Sequence, residues 1–449
     1  MFFKEYLPFY RRNLKVALPV MITQAGQVVV QLADNIMVGR LGAAELAGVS
    51  FANAIIMIGM VFAIGFAQGT TPMIGQSFGK GDGKGVARIF VNSSALNIIS
   101  AIAITCIMAA VGPLMGLMGQ DPEVLEHAKD YYYIIVSAFI PMLLFFNIRF
   151  FSEGIGNTRN AMWITIISNA VNIFLNWVLI YGKLGAPRLE VAGAAYATLV
   201  SRIVAFLLFF ILLFKFKEYN RYLRLIPRRP FSLKEIRTIF KISLPLSLQN
   251  LLEVTAFSLA AIMVGWMGKY ELAAHQIAQN LSHLSFMIAT GIGSAATIRV
   301  AHQFGAGRPK DAFMAGKASV HMSIAVMLFF GIIFISLHKW IPYIYTEDLN
   351  VIGIAGRIII VMSFFQIFDA IQLASRSSLV GLKDINIPLI FSGISYYILC
   401  LPIAYLLGFT FGFGPEGVWA GLLVGLAAAA VLFYTRFVRI CRRYIAREK

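Results

Sequence analysis

Ile36-Met37-Val38-Gly39-Arg40-Leu41-Gly42-Ala43-Ala44-Glu45-Leu46-Ala47 returns later in the chain as Ile262-Met263-Val264-Gly265-Trp266-Met267-Gly268-Lys269-Tyr270-Glu271-Leu272-Ala273, with eight of the twelve positions identical. The displacement of 226 positions also carries Pro19 onto Pro245, Gly65 onto Gly291, Thr71 onto Thr297, Phe78-Gly79 onto Phe304-Gly305, Gly81 onto Gly307 and Lys84 onto Lys310. Slightly shorter displacements pair Gly156 with Gly381 and Gly193 with Gly417. A series at one register means a duplication, and the repeated unit sets the architecture before any motif is read.

What is duplicated follows from composition. The 449 residues are 59% hydrophobic and 13% charged, and the apolar residues gather in stretches of membrane-spanning length. Twelve spans are expected, near 14–38, 46–73, 88–116, 131–152, 160–182, 192–214, 238–266, 273–298, 312–336, 354–379, 386–409 and 416–438. Period-two alternation is absent, so the spans are helices rather than strands of an outer-membrane barrel. The fold class is an all-α polytopic membrane protein with two pseudo-symmetric six-helix lobes. Residues 1–214 form the N-lobe, 215–237 a basic linker around Pro227-Arg228-Arg229-Pro230, and 238–449 the C-lobe with a basic tail. Six being even, the lobes share one orientation, and parallel repeats of this kind are a transporter plan.

The net charge of +17 raises a nucleic-acid reading, but nucleic-acid sites gather their bases on one face. Here the bases follow loop parity. Of the 38 Lys and Arg, Arg40, Lys129, Lys183, Arg188, Lys269, Lys339 and Arg357 fall on one side and Arg202 within a span. The remainder, counted with helix ends, lie on the other side, which puts both termini in the cytoplasm and the chain in the cytoplasmic (inner) membrane. No cleavable signal is expected, because the first apolar stretch is long and carries Asp34. Cys106, Cys400 and Cys441 are too scattered for a disulfide framework or metal site. The glycine run Gly79 to Gly85 lacks the spacing and the Ser/Thr of a phosphate loop, so no nucleotide is expected. The sequons at Asn92 and Asn280 fall inside spans, where no glycan is attached.

Function is sought where polarity enters hydrocarbon, because an intramembrane carboxylate is expensive. Asp34, Glu253 and Asp369 are three such groups. At about 100° per residue, Gln24, Gln27, Gln31 and Asp34 share one face of the first span, and Thr165, Asn169, Asn172 and Asn176 one face of the fifth. The seventh span offers Gln249, Asn250 and Glu253, the eighth Gln276, Gln279, Asn280 and His283, and the tenth Gln366, Asp369 and Gln372. Such stripes face protein or a water-filled cavity; amides alone also serve as interhelical glue. A desolvated carboxyl changes charge with its surroundings, and with amide or hydroxyl neighbours it suits a proton or Na⁺. Either would compete with a cationic substrate, which is the core of antiport.

These residues resemble a known family. Leu18-Pro19, Asp34, Val38-Gly39-Arg40-Leu41-Gly42, Glu45-Leu46-Ala47 and the run from Pro72 to Asp82 are similar to the multidrug and toxic compound extrusion (MATE) transporters, and the three acids to their NorM-like branch. The resemblance implies secondary efflux of cationic, amphiphilic drugs from the bilayer in exchange for Na⁺ or H⁺. It implies no cofactor, no enzymatic activity and a monomer. It also implies a coupling-ion cluster at Asp34, Asn172, Asn176 and Thr198 and an acidic pair at Glu253 and Asp369. The substrate cleft is then expected to take Gln24, Gln27, Gln31, Gln249, Asn250, Gln276, Gln279, Asn280, His283 and Gln366. A tyrosine that some members carry four residues before the tenth-span acid is absent, Phe365 standing there.

Two other classes were open on the residues. A flippase for a lipid-linked oligosaccharide or polysaccharide would line its cleft with cations to hold phosphate. An intramembrane lipid-modifying enzyme would cluster its catalytic groups near one interface.

Overall fold

The computed structural model describes residues 2–447. Among these residues eleven helices are each long and apolar enough to span a membrane, and a bent pair of shorter ones, counted as one span, makes twelve. The first is α1 (Phe2–Gly39). The second runs over Ala43–Gly79 as α2 (Ala43–Gln68) and α3 (Thr70–Gly79), and the third is built on α4 (Gly83–Val111). The fourth is α5 (Pro122–Ser137) with α6 (Phe139–Gly154), the fifth α7 (Arg159–Tyr181) and the sixth α8 (Glu190–Lys215). After the short α9 (Lys217–Leu223) follow α10 (Leu233–Gly265), α11 (Lys269–Gly305), α12 (Pro309–Leu337) and α13 (Leu349–Gly381). The eleventh span, Asn386–Thr410, is α14 (Asn386–Gly393), a π-helical Ile394–Cys400, α15 (Leu401–Tyr405) and a π-helical Leu406–Thr410. The last is α16 (Gly414–Arg447).

All twelve expected spans are found, and the helices overrun the apolar windows at most ends. The fourth differs most. Its helix starts at Pro122, capped by the Asp121 carboxylate, which accepts from the Glu123 amide at 2.9 Å, and it bends by 41° between Ser137 and Phe139. Pro141 has no N–H for the Ser137 carbonyl, so the α-helical ladder fails there. Pro72 does the same to Gln68, and the second span breaks at Gly69. Pro402 lies between the two π-helical stretches, where wider turns absorb a missing donor.

The chain packs as two compact units. The first is Ile22–Ser247; the second joins Leu248 onward with the chain up to Met21. Membership thus changes inside α1 and inside α10, two residues after Pro19 and Pro245 respectively. Within the first unit the second and third spans pack on the fourth, and the fifth on the sixth. Within the second unit the eighth and ninth pack on the tenth, and the eleventh on the twelfth, so the pairing repeats with the sequence. The first core gathers Phe66, Phe90, Tyr132, Phe139, Phe151 and Phe209; the second gathers Phe334, Phe365, Tyr396 and Trp419.

Two glycine pairs carry the repeat into atomic packing. A Cβ on Gly193 would lie 2.7 Å from the Leu179 backbone, and one on Gly417 would lie 2.6 Å from the Leu407 backbone. A Cβ on Gly381 would meet the Thr297 carbonyl oxygen at 2.7 Å, and one on Gly154 the Thr71 carbonyl oxygen at 3.3 Å. Thr71 and Thr297 are repeat-related, and Gly154 and Gly381 each end a helix. The structural counterpart of Gly381 is therefore Gly154, not Gly156. The identity match was drawn to the nearby glycine that holds a positive φ of 89°, where Lys383 (φ 61°) stands in the second half.

The segment 215–237 is ordered and anchored. Tyr219 of α9 is fully buried, its hydroxyl 2.7 Å from Ser152 Oγ and accepting from Asn160 Nδ2 at 2.9 Å. The Asn92 side chain donates to the Pro230 carbonyl at 2.9 Å and accepts from the Ser232 amide at 2.8 Å. Asn92 is thus a buried clasp for this segment.

Candidate functional site

The polar stripes converge in two places, one inside each unit. In the first unit α7 supplies Asn172 and Asn176, one turn apart and both buried. α1 comes close to this face through Gly26, where a Cβ would stand 3.0 Å from Asn169 Nδ2. The Tyr181 hydroxyl, donating to the Met37 carbonyl at 2.9 Å, ties the same two helices nearer their ends. Asp34 is thereby set beside Asn176, whose amide donates both to the Asp34 carboxylate and, at 3.2 Å, to Asn172 Oδ1. Asn172 in turn donates to Thr198 Oγ1 on α8 at 3.3 Å. Asp34, Asn172, Asn176 and Thr198 are therefore one connected chain.

One feature suits this chain to a cation, and a second offsets part of its charge. The buried Asn176 Oδ1 has no hydrogen-bond partner, and an orphaned amide oxygen beside a carboxylate is a hard ligand with lone pairs to offer. Asp34 also interacts electrostatically with Arg202, which lies on α8 four residues after Thr198 and acts on Tyr131 as well. Thr165 is buried and bonds its own helix, donating to the Ala161 carbonyl at 2.9 Å. Gln24 is half-buried, while Gln27 and Gln31 are exposed.

The second unit holds the other pair. Glu253 of α10 and Asp369 of α13 are 8% and 3% exposed, and they interact electrostatically with each other. Both Glu253 oxygens are engaged: Arg376 Nη1 donates to Oε2 at 2.7 Å, and the Tyr396 hydroxyl donates to Oε1 at 3.1 Å. Gln372 Nε2 donates to the Tyr396 hydroxyl at 2.9 Å, which turns the phenolic hydrogen toward Glu253. Gln366 accepts from Ser285 at 3.0 Å, and Gln249 donates to Ser392 Oγ at 3.0 Å; both amides are buried and act as ties between helices. Asn250 and Gln279 are half-buried, whereas Gln276, Asn280 and His283 are exposed. His275, not His283, is the buried histidine of α11, and its Nδ1 accepts from Trp419 Nε1 at 3.1 Å.

Arg376 and Tyr396 were not among the expected site residues. Arg376 had a readable signal: Asp369, Gln372 and Arg376 follow i, i+3, i+7 on one helical face, but a base near a span end was grouped with the loops. Tyr396 had none, because it sits in a π-helical stretch where the 3.6-residue phase does not hold.

Comparison with known proteins accords with both the repeat and the fold. The MatE family model matches residues 19–178 and again 245–406. The chain is 31% identical over 432 residues to the probable multidrug resistance protein NorM of Halalkalibacterium halodurans, covering 96% of this chain and 94% of that one. It is 31% identical over 439 residues to the multidrug resistance protein NorM of Aliivibrio fischeri, covering 96% and 95%. Among solved structures, the eukaryotic MATE transporter AtDTX14 superposes with a TM-score of 0.88 at 21% identity over 98% of this chain and 99% of that one. A MOP superfamily transporter from Pyrococcus furiosus superposes with a TM-score of 0.88 at 23% identity over 97% and 96%. With its helical duplication matched in both halves and its relatives aligned from end to end, the chain is a multi-pass membrane protein that belongs to the MatE family of transporters, and not an enzyme.

Proposed function

We propose that this protein is a secondary multidrug efflux antiporter that exports cationic, amphiphilic compounds in exchange for Na⁺ or H⁺. The relatives named for multidrug resistance support the efflux part. The exchange part is carried by one observation, the chain from Asp34 through Asn176 and Asn172 to Thr198 with its orphaned Asn176 oxygen. A carboxylate so placed accepts one small cation or proton at a time, and whichever ligand it prefers in each conformation sets the direction of exchange. In this reading residues 1–214 and 238–449 act as two lobes joined by 215–237, both termini are cytoplasmic, and Glu253 with Asp369 forms a second cation-sensitive centre.

The test is efflux of a fluorescent organic cation from liposomes holding the purified protein, with a Na⁺ gradient and a pH gradient imposed separately. Transport driven by either supports antiport and names the ion, and no response to either removes the reading. The flippase alternative required cleft cations for phosphate. Arg376 and Arg202 supply cations in the polar clusters, but Arg376 is bonded to Glu253, and Arg202 interacts electrostatically with Tyr131 and Asp34.

A further inference from the structure

We propose that Arg376 is a resident cation of the second unit, holding Glu253 so that Asp369 is the one carboxylate of the pair open to a transported cation. The inference rests on the antiport reading and concerns which cations that site takes.

Two carboxylates and one guanidinium leave a single negative charge to be balanced. The balance is not shared evenly. Glu253 is fixed on both oxygens, by Arg376 at 2.7 Å and by Tyr396 at 3.1 Å, and Gln372 holds Tyr396 in the donating orientation. A Na⁺ ion binds oxygen lone pairs; each Glu253 oxygen already accepts one donor, and a Na⁺ held there would be repelled by the adjoining Arg376 guanidinium. Nor can Arg376 leave by losing its proton, because a guanidinium stays charged in proteins. Its side chain is 14% exposed and that of Glu253 11%, and separating a buried pair leaves two uncompensated charges. Asp369 lies two turns before Arg376 on the same face of α13, within the electrostatic reach of both partners. One turn from Asp369, Gln372 Oε1 is buried without a partner. Asp369 and Gln372 Oε1 are the oxygens left to a mobile cation. Arg376 thus acts as a specificity-determining residue: it keeps the site at one exchangeable charge and lowers its preference for Na⁺.

The experiment measures ²²Na⁺ binding to purified full-length protein in an Asp34→Asn background, which silences the first unit's acid. Arg376→Gln is expected to raise Na⁺ affinity at least tenfold, Asp369→Asn to abolish the Na⁺ binding so gained, and Arg376→Lys to behave like the parent. Unchanged affinity in folded Arg376→Gln would overturn the proposal. If that variant does not fold, infrared difference spectra of protein with Arg376 intact decide. A cation-sensitive carboxylate band on adding Na⁺ or ethidium that Asp369→Asn removes supports the assignment, and a moving Glu253 band overturns it. Liposome efflux that answers neither gradient would sink antiport itself, while binding would still report on Arg376.

Discussion

Tyr396 donates its hydroxyl to Glu253 at 3.1 Å from a π-helical stretch of the eleventh span. It supplies a phenol to the acid pair from the eleventh span, whereas the tenth has Phe365 four residues before Asp369. A hydrogen bond to a charged group contributes about 1.5–3 kcal/mol. Tyr396→Phe keeps the ring and removes only that bond. It is expected to slow cation-driven efflux by roughly an order of magnitude and to lower the unfolding temperature modestly, with the protein still folded and inserted. Efflux at the parent rate would show that the phenol is packing alone.

Asp34→Asn and Asp369→Asn keep shape and lose charge. Each is expected to abolish drug resistance in cells that display the folded, inserted protein, as judged by minimum inhibitory concentrations alongside membrane-fraction immunoblots. Resistance retained by both would remove the carboxylate mechanism. Asn176→Ala removes the donor to Asp34 and the orphaned oxygen together, and is expected to weaken transport at least as much as Asn172→Ala, which touches Asp34 only through Asn176.

Arg149 and Glu153 form an ion pair at 2.7 Å, one turn apart on α6, with side chains 7% and 3% exposed. Removing one partner of a buried pair costs about 3–5 kcal/mol, whereas replacing both with apolar side chains is often neutral. Arg149→Met alone should therefore lower the unfolding temperature in detergent more than Arg149→Met with Glu153→Leu. A double variant as unstable as the sum of the singles would contradict this account.

Gly193 and Gly417 let their helices approach a neighbouring backbone to within 2.7 and 2.6 Å of where a Cβ would stand. Valine at either position should cost about 1–3 kcal/mol through forced separation. The two sites share no partner, so their effects should add to within about 0.5 kcal/mol. Thermal unfolding of the single and double variants measures both statements.

The repeat and the twelve spans were legible because each leaves a long-range mark in the chain: identities at a fixed displacement, and apolar stretches matched to bilayer thickness. The stripes that hold Asp34 and, separately, Asn172 and Asn176 were legible because a regular helix keeps phase over three turns; that the two stripes meet was only what the family resemblance implied. The fourth span's true start at Pro122 was hidden because its first turn is polar, and hydropathy finds hydrocarbon rather than helix. Gly154 was missed in favour of Gly156 because identity favours a glycine wherever one stands, while packing favours the glycine that touches. Tyr396 could not be placed because a π-helix breaks the phase on which the stripes were read. The exposed Gln276, Asn280 and His283 share one stripe with the half-buried Gln279, and periodicity alone does not rank members of a stripe by burial.

The change of unit inside α1 has a bearing on biogenesis. The residues up to Met21 pack with a unit whose remaining members begin at Leu248. A ribosome adding about 5–20 residues per second delivers those partners roughly 10–50 s after the opening stretch has emerged. During that interval the part of α1 up to Met21 lacks the neighbours it will keep, while the part from Ile22 onward already has its own in the first unit. The stretch up to Met21 therefore waits for the segment that carries Ala315, Ser319 and His321, which bond Asn13 and Tyr10, and loss of that segment would orphan it.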